Sequence, residues 1–297
     1  MNYTINQLRI YIKVTELESI TKAAEELFMT QPAVSIQLKN FQDQFDIPLT
    51  EVVGRSLHVT EFGQEIAEIA KRIYSELEEL QYKTNEYKGI LTGSLKISSA
   101  STGKYVIPYF LTQFIKQHEG IDLILDVTNK SKVVESLKLN EIDFALVSVL
   151  PEDLEVEEEL LLENKLYLVG TPENQKVKKT LIFRENGSAT RKEMEKFFNE
   201  GKSSKRKKME LTSNEAVKQA VIAGLGHSIL PIIGIRDEIK SGSLKIIDRK
   251  GLPLKTDWRL IWLKNKKLSP VAKAYLDHIR LEKEQILSKH FSWYLEH

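Results

Sequence analysis

Apolar residues recur at helical spacing through the first ninety positions, then give way to strands alternating with helices. Leu8, Tyr11, Ile12 and Thr15 keep a step of three to four, which predicts a first helix over roughly residues 5–17. Ser19 and Thr21 are capping types for a second helix, whose inner face is expected to be Ala23, Ala24, Leu27 and Phe28. Thr30 is placed to cap a third helix. Gln31 and Pro32 fall in its first turn, where a missing proline N–H removes no intrahelical bond. From that helix Val34, Leu38 and Phe41 face inward, while Ser35, Lys39 and Gln42 face outward. Pro48 breaks the pattern. Val52-Val53 and Leu57…Val59 then flank Gly54-Arg55-Ser56 as a short hairpin. Residues 1–60 therefore predict an all-α winged helix-turn-helix.

A longer helix follows. Phe62, Ile66, Ile69, Ile73, Leu77, Leu80 and Tyr87 form a narrow apolar seam, with Thr84 bridging its last gap and charge on the other faces. Such a seam predicts pairing with a partner helix, so residues 61–92 are assigned as a linker and dimerisation helix closed by a hinge at Gly89 and Gly93. From Leu95 the order strand, helix, strand, helix, strand runs to Val147 and predicts a parallel sheet. A second set follows: strands near 166–169, 181–183, 209–212 and 228–230, with helices near 190–199 and 215–223 between them. Strand 258–263 and a helix from Ser269-Pro270 complete the chain. The fold class is α/β, with a two-lobed, hinged binding domain over 93–297. Lobe 1 is expected at 93–164 and 268–297, and lobe 2 at 165–267, with a cleft between them.

Composition narrows the function. The 297 residues contain no cysteine, which excludes disulfides, thiolate metal sites and cysteine nucleophiles. The six histidines show no paired ligand spacing, so neither a metal nor a cofactor is expected. No run of 18 apolar residues and no signal peptide are found, and a cytoplasmic location without membrane contact is expected. Gly201-Lys202-Ser203 lacks the first glycine of a phosphate-binding loop, and Gly226-His227-Ser228-Ile229-Leu230 lacks the closing glycine of a nucleophile elbow. No enzyme constellation remains. Local charge runs against the expected nucleic-acid partner: residues 1–60 hold five cations against seven anions, or −2. Phosphate neutralisation supplies much of the affinity for DNA, so this balance predicts weak non-specific binding.

The run Ser19…Ala23-Ala24…Leu27…Gln31-Pro32-Ala33-Val34-Ser35…Leu38…Leu57…Thr60 resembles LysR-type transcriptional regulators, and the resemblance extends over essentially the whole chain. Ser101-Thr102-Gly103-Lys104-Tyr105, Gly187-Ser188-Ala189-Thr190-Arg191 and Ser213-Asn214-Glu215-Ala216 are similar to the branch that regulates carbon-fixation operons. The resemblance implies a winged helix-turn-helix, a dimerising linker helix and an effector domain like a periplasmic binding protein. It also implies promoter DNA, a small-molecule effector and RNA polymerase as partners, and a homodimer or homotetramer. Two departures stand out. Ile36 follows Ser35 where arginine is frequent in the family, and Leu49-Thr50-Glu51-Val52 replaces a wing pattern that carries phenylalanine and arginine.

Candidate DNA-binding residues are Gln31, Pro32 and Ser35 at the start of the recognition helix, Thr30 and Ser19 on phosphates, Lys39 on the backbone and Arg55 at the hairpin tip. Candidate effector-binding residues lie where strands end and helices begin: Ser101, Thr102 and Lys104; Thr128 and Asn129; Ser148; Arg184, Ser188 and Arg191; and Asn214. Capping of the following helix is an equally good role for Asn214. Guanidinium and hydroxyl groups together favour a small anionic metabolite. A solute-binding protein of transport is the alternative, and it leaves the first sixty residues without a role. The tail Leu281–His297, with Phe291, Trp293 and Tyr294, lies outside the family pattern. It is expected to extend the last helix and pack on a neighbouring lobe or subunit.

Overall fold

A computed structural model describes residues 2–54, 56–86, 91–173, 180–199 and 207–296. The chain divides into two compact units, Met1–Gly89 and Ile90–His297. No helix among the described residues is long and apolar enough to cross a membrane.

In the first unit, α1 (Ile5–Leu17) opens on a reciprocal cap. Thr4 Oγ1 accepts from the Gln7 N–H, and Gln7 Oε1 accepts from the Thr4 N–H. Helices α2 (Ile20–Glu26) and α3 (Gln31–Gln42) are capped by Ser19 and Thr30, as their residue types dictate. Strands β1 (Thr50–Val53) and β2 (Ser56–Val59) pair antiparallel, with Thr50 opposite Val59 and Val53 opposite Ser56. Ile10, Tyr11, Val14, Ala23, Val34, Phe41 and Leu49 form the core, which Ala67 and Ala70 of α4 (Glu61–Glu86) join. Gly63 allows α4 to start there, because a Cβ on it would lie 2.0 Å from the Leu49 carbonyl oxygen. The Tyr11 hydroxyl donates to the Gly63 carbonyl at 2.7 Å, and burial pushes that phenol's pKa far up.

Two expectations for this unit change. Phe28 does not join the inner face of α2. The helix stops at Glu26, and Phe28 takes a left-handed turn (φ 55°) that leaves its ring 98% exposed. The seam of α4 also divides: Phe62 and Ile66 pack on the unit's own core with Ala67 and Ala70, while Ile69, Ile73 and Leu80 stay exposed. Tyr87 and Arg55 lie outside the described residues.

The second unit begins with β3 (Gly93–Ala100), α5 (Ile107–Gln117), β4 (Ile121–Thr128), α6 (Lys130–Lys138) and β5 (Phe144–Val147). Strand β3 runs parallel to both β4 and β5, as the alternation predicts. Next come β6 (Val156–Gly170), β7 (Leu181–Arg184), α7 (Ala189–Asn199), β8 (Lys208–Leu211), α8 (Asn214–Ile222), β9 (Ser228–Pro231), α9 (Arg236–Ser241), β10 (Lys245–Ile246), β11 (Leu254–Leu263) and α10 (Pro270–Phe291). A 3-10 turn, Ser292–Glu296, follows.

The sheet is mixed rather than purely parallel. Among the described residues it has seven strands in the order β10-β6-β11-β5-β3-β4, with β9 also on β6. The long strands β6 and β11 pair antiparallel from Val156 opposite Leu263 to Leu166 opposite Leu254, so β6 runs across the lobe boundary expected at 164/165. The second half of β11, expected in lobe 2, therefore lies beside β5 of lobe 1. The first ten residues of β6 precede the strand expected near 166–169, and Glu157, Glu158 and Glu159 crowd them. Each acid is partnered: Trp262 Nε1 donates to Glu157 at 3.0 Å, Arg259 pairs with Glu158 at 3.2 Å, and Lys283 and Arg280 reach Glu159 at 2.7 and 3.0 Å. Burial alone would raise the pKa of Glu159, but these two cations hold it below the usual range.

The tail packs within its own unit. Phe291 meets the rings of Tyr109 and Phe110 of α5. Tyr294 is buried, and its hydroxyl accepts from the Lys165 N–H of β6 at 2.7 Å. The Trp293 ring lies under the guanidinium of Arg236 on α9 at 4.3 Å.

Candidate functional site

On α3 the hydrophobic face is buried and the opposite face is open: Gln31, Pro32, Ile36, Lys39 and Asn40 are exposed, and Ser35 is half-buried. The hydroxyl oxygens of Ser19 and Thr30 accept from the N–H groups of Lys22 and Ala33, at 3.3 and 3.4 Å. Each keeps its own proton free to donate to a phosphate. Of the cations on this unit, Lys13 is tied to Glu16 and Glu26 at 3.1 and 3.0 Å. Lys39 ends α3 unpaired among the described residues.

In the second unit, β3, β4 and β5 end on one edge, and the starts of α6, α7 and α8 and the end of β7 converge on it. The cavity there is lined by Ser101, Thr102, Lys130, Ser148, Arg184, Ser188, Thr190, Asn214 and Trp258, together with Ala100 and Ala189. Six of the ten candidate effector residues are thus brought together. The other four are not on its lining. Lys104 is exposed beside the Tyr105 ring. The carbonyl of Thr128 accepts from Ser101 Oγ at 3.1 Å. Asn129 caps α6 by accepting from the Lys132 N–H. Arg191 braces the second lobe: it donates to the Arg184 carbonyl at 2.9 Å and pairs with Glu195 and Glu210, and the Glu210 bond raises its pKa.

Arg184 is the centre of the cavity's charge. It is 4% exposed. Its Nε and Nη2 donate to the two oxygens of Glu185 at 2.7 Å each, and Nη2 also donates to Ser101 Oγ at 3.2 Å. That last bond ties the second lobe to the first. Two further contacts do the same. Lys192 of α7 pairs with Glu152, and Gly187 (φ 84°) approaches Ser131 so closely that a Cβ would sit 2.5 Å from its hydroxyl oxygen. Drawn together in this way, the lobes leave a cavity of about 20 Å³, roughly the room one water needs.

Five lining residues were not among the candidates: Ala100, Ala189, Thr190, Lys130 and Trp258. Lys130 opens α6 and donates to the Leu150 carbonyl at 3.0 Å; burial and the nearby Lys192 lower its pKa. Trp258 is 1% exposed at a bulge in β11, and its indole N–H has no acceptor among the described residues. Asn214 is resolved as a lining residue, because Ser213 caps α8 in its place. The buried Asn214 Oδ1 has no partner among the described residues. Rotation of that amide would place donors there instead. Among the described residues the lining thus combines two cations, several hydroxyls and unpartnered polar atoms and no acid; Glu185, which Arg184 engages, lies outside it.

Residues 5–64 match the family model described as bacterial regulatory helix-turn-helix protein, lysR family, and residues 88–283 match the LysR substrate binding domain. The chain belongs to the LysR family. Among curated relatives of this LysR-type chain, the HTH-type transcriptional activator CmpR of Synechocystis sp. is 36% identical over 296 residues, covering 96% of this chain and 97% of the relative. The RuBisCO operon transcriptional regulator of Allochromatium vinosum is 36% identical over 293 residues, covering 95% and 97%. A solved Synechocystis structure, the CcmR regulatory domain in complex with 2-PG, is 30% identical with a TM-score of 0.61, covering 65% of this chain and 98% of that one. These LysR relatives are transcriptional regulators, not enzymes.

Proposed function

We propose that this LysR-type regulator binds promoter DNA through α3 and the β1–β2 hairpin, and that a small anionic metabolite in the Arg184 cavity sets its activity. The observation that carries the anion is the buried Arg184 guanidinium beside Lys130, with Ser101, Thr102, Ser148, Ser188 and Thr190 around them. The CcmR domain solved with 2-PG supports a phosphorylated carboxylic acid as the ligand class. A ligand of that size is larger than the cavity of about 20 Å³, and in this reading its binding parts the lobes and replaces the Arg184–Ser101 and Lys192–Glu152 contacts. An effector that prefers the parted arrangement shifts the population toward it, and the difference in affinity is the coupling energy.

Two uncovered apolar features support a homo-oligomer: Ile69, Ile73 and Leu80 on α4, and the edge strand β4, with Leu123 and Val127 exposed on one face and Ile124 on the other. Two self-complementary surfaces on one chain build a dimer of dimers, the homotetramer proposed here. The regulator then acts in the cytoplasm, beside RNA polymerase at the promoter. A transport role leaves residues 5–64, which match a DNA-binding family, idle.

Gel shifts with a fragment from upstream of the chain's own gene test the DNA half of this reading. Gln31→Ala and Ser35→Ala each remove a base-edge contact worth ~1–3 kcal/mol, so each should weaken specific binding roughly fivefold to over a hundredfold. Specific binding unchanged by both substitutions would remove α3 from the interface.

A further inference from the structure

Ile36 stands at the middle of the open face of α3. It follows Pro32 by four residues and precedes Lys39 by three, so the three side chains share one stripe. Opposite that stripe Val34, Leu38 and Phe41 are buried. Ile36 is 58% exposed and belongs to none of the unit's packed clusters. Lys39 is the single cation on the helix, and it sits near the far end. The hairpin adds Val52, 70% exposed, where a charged side chain would have served phosphate binding. The unit's net charge of −2 over residues 1–60 gives little electrostatic compensation. Contact with DNA must draw on something other than phosphate neutralisation.

A branched aliphatic chain in the major groove has a restricted choice of neighbours. Set against the donors and acceptors of guanine, adenine or cytosine, it would strip their water and return no hydrogen bond. Thymine alone presents a methyl group on that edge. We propose that Ile36 is a specificity-determining residue that reads thymine by packing against its 5-methyl group. The proposal rests on α3 being the DNA reader and says what the centre of that helix recognises.

Deoxyuridine lacks only the methyl group, so it isolates the contact. The preferred duplex is first recovered by in vitro selection from a random library with the full-length protein. Each thymine is then replaced singly by deoxyuridine, and affinity is measured by fluorescence anisotropy. Burying one methyl is worth ~0.8 kcal/mol, which converts to roughly a fourfold change in Kd. At one thymine per half-site, wild type should lose about that factor. Ile36→Ala should bind the thymine duplex more weakly and show no further loss with deoxyuridine at that position, while Ile36→Val keeps the sensitivity. Thermal melting should be unchanged, because the side chain is exposed. If Ile36→Ala retains the wild-type deoxyuridine penalty at every thymine while Gln31→Ala still weakens binding, the inference fails and the recognition helix stands. If neither Gln31→Ala nor Ile36→Ala alters affinity for the selected duplex, the recognition-helix reading falls and the inference falls with it.

Discussion

A chain ending at Lys283 will lose about 5 kcal/mol or more of stability in its effector unit, enough to leave that unit unfolded or insoluble at ordinary temperature. Domains of this kind hold only ~5–15 kcal/mol in total. The deletion removes Ile286, Phe291 and Tyr294, each at most 5% exposed, from one continuous core. Truncating a single side chain of this size in a core costs ~2–5 kcal/mol, and three neighbours do not add in full. The cut keeps Lys283 and its bond to Glu159, so the loss reports the tail rather than that ion pair. Urea unfolding followed by tryptophan emission gives the reading, and an unchanged midpoint would mean the tail is dispensable. Tyr294→Phe isolates one contact in a chain that still folds. It leaves the Lys165 N–H without its acceptor and should cost ~1 kcal/mol.

Arg184→Ala should abolish anion binding. Loss of a buried charged partner costs ~2–5 kcal/mol of binding, or roughly 30-fold to several thousandfold in Kd. Arg184→Lys keeps the charge but not the fork and should recover only part of the affinity. Because Arg184→Ala strands the carboxylate of Glu185, Arg184→Met with Glu185→Gln removes both charges together and keeps stability separate from binding. Calorimetric titration of full-length protein with 2-phosphoglycolate supplies the measurement. Equal affinity in wild type and the double variant would remove Arg184 from the site.

The parts of this chain legible from sequence are those governed by local rules. Thr30 followed by Gln31-Pro32 fixes the start of α3 because a capping hydroxyl and a tolerated proline leave few alternatives. The β3-α5-β4-α6-β5 order predicts parallel pairing for the same reason. Strand β6 starts ten residues before the strand expected near 166–169, where its acids meet Arg259, Arg280 and Lys283 from about a hundred residues or more later in the chain. Cavity membership is non-local in the same way. Arg191 has the right charge and lies close to Arg184 in the chain, yet Glu195 and Glu210 draw it onto the second lobe. Lys130 and Trp258 reach the lining through a helix start and a strand bulge that no spacing in the sequence announces. The match to the family model ends at residue 283, within the first residues of the tail, so the packing of Phe291 and Tyr294 is what gives the rest of it a role.

DNase footprinting of the upstream fragment, with and without saturating 2-phosphoglycolate, tests the link between cavity and DNA most directly. Wild type should protect the promoter in both conditions, with the boundaries or the bend-induced hypersensitive positions moved by the anion. Arg184→Ala should give the anion-free pattern in both. A wild-type pattern identical with and without the anion, at concentrations where calorimetry shows the cavity filled, would contradict the account.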